Sequence, residues 1–132
     1  MLESNDAALI IGDPAMLIDR STLNVYDLAE EWLKHTGLPF VFAFWAIRKD
    51  SDAWPGEVDF LQARCEGLDH AEDLAEMYAA SLGLPREGLL SYLTENISYD
   101  LDEVSLRGLS LYYDLAKECA LIEEVRPLEF WN

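Results

Sequence analysis

Apolar residues in this chain fall into two kinds of stretch, unbroken runs and helical stripes. Ala7-Ala8-Leu9-Ile10-Ile11 is an unbroken run that stops at Gly12-Asp13-Pro14. A run of this length before a turn signal predicts a buried strand. Asp13 is a good helix cap and Pro14 suits a first helical position, so a short helix is predicted over 14–18. A loop follows over 20–24. The next helix, over 28–35, has Asp27 as its cap and Glu30 at the capping-box spacing. Its acids come first and Lys34 and His35 last, as the helix dipole prefers. Gly37 stops it and Pro39 prevents its resumption.

The second run, Phe40-Val41-Phe42-Ala43-Phe44-Trp45-Ala46-Ile47, is the strongest strand signal in the chain. It does not alternate with polar residues, and a strand apolar on both sides is normally covered on both faces, as in a parallel α/β sheet. A polar loop over 48–54 closes at Pro55-Gly56. Apolar residues then recur every three or four positions, at Val58, Leu61, Cys65, Leu68, Ala71, Ala75, Tyr78 and Leu82. This spacing predicts one helix over 57–82, with Gly67 as a point of kinking. Further helices are predicted over 87–96 and, capped by Asp102, over 103–119, joined by a short extended link at 97–99. Phe130 and Trp131 are expected to dock the tail on the body.

The expected fold class is therefore α/β, but the strand account does not close. A strand like 40–47 needs neighbours on both edges, and the chain offers only 7–11 and short extended pieces. The pattern implies additional chain, or a partner, on the N-terminal side.

Charge narrows the function classes. Nine Lys and Arg stand against 26 Asp and Glu, a net charge of −17, and the basic residues are scattered. Nucleic acid and anionic membrane surfaces, both bound by basic patches, are disfavoured as partners. The N-terminus is acidic where a secretory leader would be basic, and no apolar run is long enough to span a bilayer, so a cytoplasmic location is expected. Cys65 and Cys119 belong to no ligand spacing and are expected to be buried free thiols. No metal or cofactor motif is present. His35, His70 and the Glu30-Glu31 pair fit a solvated surface, while Trp32, Trp45 and Tyr113 fit a core.

Three blocks carry a resemblance. The first is Asp6 to Ala15. The second is Asp27-Leu28-Ala29-Glu30-Glu31-Trp32 followed by Thr36-Gly37-Leu38-Pro39-Phe40-Val41-Phe42-Ala43. The third is Leu93-Thr94-Glu95-Asn96-Ile97-Ser98-Tyr99-Asp100-Leu101 with Gly108-Leu109 after it. In order and in residues they resemble the chorismate dehydratases of the futalosine route to menaquinone. Members of that family are about twice this long. They resemble type II periplasmic binding proteins, with two α/β lobes around a ligand cleft.

The resemblance implies that residues 1–36 end the second lobe, that 37–132 return to the first, and that an N-terminal half is absent. It implies a lyase acting on chorismate, a small dicarboxylate, without a cofactor. Gly12 and Asp13 become candidate substrate-binding residues, against a plain helix start. Thr36, Gly37, Leu38 and Pro39 become a candidate hinge, against an ordinary helix stop. No catalytic residue is assigned. Two other possibilities stay open: a binding protein of the same fold without chemistry, and a split chain that needs its other half or associates with itself.

Overall fold

The computed structural model describes residues 4–48 and 59–130. Among these, every regular element is helical: α1 (Asp13–Met16), α2 (Leu28–Thr36), α3 (Phe60–Asp69), α4 (Ala71–Leu82), α5 (Arg86–Ser91) with a π-helical turn at Tyr92–Asn96, and α6 (Glu103–Glu118). Residues 7–11 and 40–47, expected as strands, form none. The physical reason is that a strand is held by its neighbours, and one run without a ladder is not stable in water. The loop expected over 48–54 lies, after Arg48, outside the described residues, as do Val58 and Trp131.

Aspartates start three of the helices. Asp27 Oδ1 accepts from the backbone N–H of Ala29 and Glu30, at 2.9 and 3.1 Å. Asp59 and Asp102 accept from Gln62 and Ser105 at 2.9 and 2.7 Å. Each bond satisfies an amide that the helix itself leaves orphaned. Asp13 does not follow them. Gly12 is the cap of α1, no side chain completes the cap, and Asp13 is already the first helical residue. Pro14 fits the second position as well as the first, which moves the helix start back by one.

The single helix expected over 57–82 is two helices, and the break falls at His70 rather than Gly67. His70 Nδ1 lies 2.8 Å from the Glu66 carbonyl oxygen, which the His70 backbone N–H also reaches at 3.1 Å. With φ −103° and ψ 14°, His70 ends α3 and begins α4. A side chain competing for a carbonyl of its own helix favours such a break. The helix expected over 87–96 starts at Arg86 and widens into the π turn, closed by the Ile97 N–H on the Tyr92 carbonyl at 3.3 Å. Within it the Thr94 hydroxyl donates to the Leu90 carbonyl at 2.9 Å.

The described residues gather into two units: 4–25 with 59–99, and 26–48 with 100–130. In the first, α4 packs on α5, and Ala71, Ala75 and Leu89 are its buried residues. Arg86 ties the two helices, reaching Glu72 at 3.1 Å and Glu76 at 3.2 Å. In the second, Gly108, Leu109 and Ala116 of α6 are buried, and an aromatic cluster joins α2, α6 and the segment after α2. Phe40 stands edge-on to Trp32, Tyr112 and Phe42, at centroid distances of 5.7, 5.2 and 5.1 Å. Quadrupoles favour such T-shaped pairs.

Three burial expectations are corrected. Cys65 and Cys119 are free but exposed, because α3 buries no residue and Cys119 sits at the C-terminal cap of α6. Trp45 is 80% exposed, not core, since its run has no sheet to cover it. Phe130 lines a shallow groove with Leu106 and Tyr113 of α6 yet stays more than half exposed. No helix among the described residues is long and apolar enough to cross a membrane.

Candidate functional site

The candidate residues form two local constellations, one in each unit. In the first unit, Gly12 has φ 72° and ψ −161°, a backbone state essentially reserved for glycine. Its carbonyl accepts from the Ala15 N–H at 2.9 Å, which turns the chain into α1. A methyl group at Gly12 would meet only Pro14 Cδ at 3.9 Å, an ordinary contact. Backbone conformation therefore demands the glycine here, not crowding. Asp13 is exposed and places its carboxylate in the first turn of α1.

Thr36, Gly37, Leu38 and Pro39 lie in the second unit. The Thr36 hydroxyl donates to the Trp32 carbonyl at 2.8 Å and accepts from the Leu38 N–H at 3.1 Å. Gly37 is left-handed, with φ 72°, and its N–H bonds to the Leu33 carbonyl at 2.8 Å. Pro39 lies against α6 so closely that a Cβ on Gly108 would overlap its carbonyl. The segment thus leaves α2 through a fixed turn and enters 40–47 from a packed base.

Gly108, quoted above only as part of the third block, and Tyr112 are structural partners of this segment. One signal was available, a glycine inside an otherwise apolar helical pattern, which marks close backbone approach as readily as weakness. The pairing with Pro39 had no signal, because the two positions are 69 apart in the chain.

Three groups are shifted from their ordinary protonation behaviour. The Ser105 backbone N–H, and after it the Ser105 hydroxyl, holds the Asp102 carboxyl low. Hydrogen bonds from the Ser21 side chain and backbone do the same to Asp19. Glu31, then Glu30, raise Lys34. All three are at the surface and serve the fold, as cap, turn and ion pair. Among the described residues no three of His, Cys, Asp and Glu gather as a metal site would need.

Comparison with known proteins bears on what these constellations serve. Residues 1–118 match the family described as menaquinone biosynthesis. A chorismate dehydratase of Thermus thermophilus is 32% identical over 130 residues, covering 85% of this chain and 48% of that protein. The chain thus spans about half the length of the curated relative it matches. No solved structure matches it. With the family covering all but the last residues, this chain belongs to the menaquinone biosynthesis family.

Proposed function

We propose that this chain is part of a chorismate dehydratase, a carbon–oxygen lyase that forms 3-[(1-carboxyvinyl)oxy]benzoate from chorismate. The observation that carries the reading is its likeness to the Thermus chorismate dehydratase across 85% of its own length. Because that stretch is only 48% of the relative, the chain acts as one portion of a larger unit, an α/β protein of two lobes. Loss of water makes the substrate ring aromatic, so the substrate supplies the thermodynamic drive. The protein has to hold a dicarboxylate, accept a ring proton and assist hydroxide as it leaves.

In this reading the turn at Gly12 is one wall of the cleft. Its lack of a side chain lets a ligand approach the backbone, and the Asp13 carboxylate repels a dicarboxylate placed beside it. Asp13 therefore limits where the substrate carboxylates sit. Thr36, Gly37, Leu38 and Pro39 carry the chain from one lobe to the other. The groups that move the proton lie outside these residues.

Chorismate added to the isolated chain, with ultraviolet absorbance followed for the aromatic product, tests the proposal. The isolated chain turns over poorly, and turnover appears when the rest of a family-length protein is supplied. Heat of chorismate binding without product would instead identify a binding protein of the same fold. No heat and no product from the completed protein would overturn both readings.

A further inference from the structure

A dicarboxylate brings two negative charges to a chain that already carries a net charge of −17. Like charges repel, so a bound carboxylate has to meet a cation or a set of aimed N–H donors. The chain has nine Lys and Arg. Lys34 is paired with Glu30 and Glu31, Arg86 with Glu72 and Glu76, and Arg126 with Glu124. Arg48 and Arg64 are engaged as well, and Lys49 lies outside the described residues. Three cations, Arg20, Arg107 and Lys117, make no ion pair or side-chain hydrogen bond. Arg107 and Lys117 belong to α6, in the second unit. Of the three, Arg20 alone shares a unit with the turn at Gly12.

The neighbours of Arg20 keep it uncommitted. Asp19 is the nearest acid in the chain, but its Oδ1 accepts from the Ser21 N–H at 2.9 Å. The Leu23 N–H reaches the Arg20 carbonyl at 3.4 Å and closes the next turn. Two bonds thus hold the backbone around Arg20, while its side chain stands exposed. In the α/β reading, residues 12–27 are the loop that leaves the carboxyl end of the 7–11 run. That is the side on which open α/β sheets bind ligands.

We propose that Arg20 receives one carboxylate of the substrate, in a two-pronged guanidinium–carboxylate pair. The inference rests on the reading of the chain as part of a chorismate dehydratase, and it names a substrate contact which that reading left unassigned. Asp13 and Arg20 then divide the task along one loop: Asp13 keeps carboxylates from the first turn of α1, and Arg20 takes one further on. The planar guanidinium suits this role better than an ammonium, because its parallel N–H groups match both carboxylate oxygens.

The test supplies the full chain with the rest of a family-length protein. It reads chorismate binding by calorimetry and product by ultraviolet absorbance, at one fixed ionic strength. Arg20→Gln removes the charge, and Arg20→Lys keeps the charge without the fork. Lys117→Gln makes the same change in charge at an exposed position of the other unit. All three are surface substitutions, so melting midpoints stay with that of the parent. Arg20→Gln weakens chorismate binding and raises KM by about 10-fold or more, as loss of a charge-assisted pair requires. Its kcat stays within about 3-fold of the parent, because the pair forms in ground and transition states alike. Arg20→Lys falls between the two, and Lys117→Gln matches the parent.

An unchanged KM in Arg20→Gln overturns the proposal. So does an equal rise in Lys117→Gln, which traces the effect to total charge, or a loss of kcat at constant KM. Any of these results with product from the parent leaves the dehydratase reading standing. Chorismate binding without product, weakened by Arg20→Gln and not by Lys117→Gln, removes that reading and keeps Arg20 as the carboxylate contact. Neither heat nor product from the completed parent overturns both.

Discussion

Single positions in the helices have opposite demands on side-chain size. Gly67 lies inside α3 with nothing within 4 Å of where an added methyl group would sit, whereas Gly108 of α6 abuts the Pro39 carbonyl. Ala120 follows the end of α6 with φ 56°, a left-handed state that costs a non-glycine residue. The Leu121 N–H bonds the Ala116 carbonyl and the Ala120 N–H that of Lys117, both at 2.9 Å, which is the Schellman closure with alanine where glycine is usual. Gly67→Ala should therefore raise stability by roughly 0.5–1 kcal/mol through chain entropy. Ala120→Gly should raise it by about 1 kcal/mol, and Gly108→Ala should lower it by about 1–3 kcal/mol through overpacking. Thermal melts of the three variants check the signs; a neutral Gly108→Ala would mean that Pro39 does not press on α6.

At the scale of elements, caps and breaks decide where helices run. Asp102 supplies a pH dependence with a definite sign. Its carboxyl is held below the ordinary value of 3.8, chiefly by the Ser105 backbone N–H. A depressed folded value means that ionised Asp102 stabilises the start of α6 fully above the unfolded value. That contribution is lost as pH falls through the folded value. Asp102→Asn keeps an acceptor but cannot titrate, so the gap in urea midpoint between parent and variant should shrink on acidification. A gap that stays constant from neutral pH into acid would show that the charge contributes nothing. The break at His70 belongs to the same scale: the apolar stripe runs through it unchanged, and local competition for one carbonyl cuts the helix.

For the whole molecule, two quantities dominate: a net charge of −17 and, among the described residues, a core without a single large, fully buried side chain. The first works against compaction through self-repulsion, and mobile ions screen it. Raising sodium chloride from about 0.02 to about 0.3 M should lift the melting midpoint of the isolated chain. A flat or falling midpoint would show that the acids are already balanced locally. The second quantity agrees with a chain that is one portion of its family's length. Leu9, Ile11 and Phe42 are each at least 70% exposed.

The sequence by itself determined where most helical segments lie, the family and the direction of charge, but not the break at His70. Helices are local: the three-and-four spacing over 57–82, the Asp27 and Asp102 caps and the Gly37 stop are each readable within a few residues. The three motif blocks were legible for the same reason, and the match over residues 1–118 agrees with them. Only the tertiary structure decided that Asp13 is not a cap, that both cysteines are exposed, and that Phe40 and Pro39 are gripped by Tyr112 and Gly108. Such facts depend on which distant segments meet, and no local pattern carries that. The runs at 7–11 and 40–47 lie between the two cases. Their composition expresses what a strand of this kind needs, while pairing is a property of the neighbour, and among the described residues neither run finds one in a ladder.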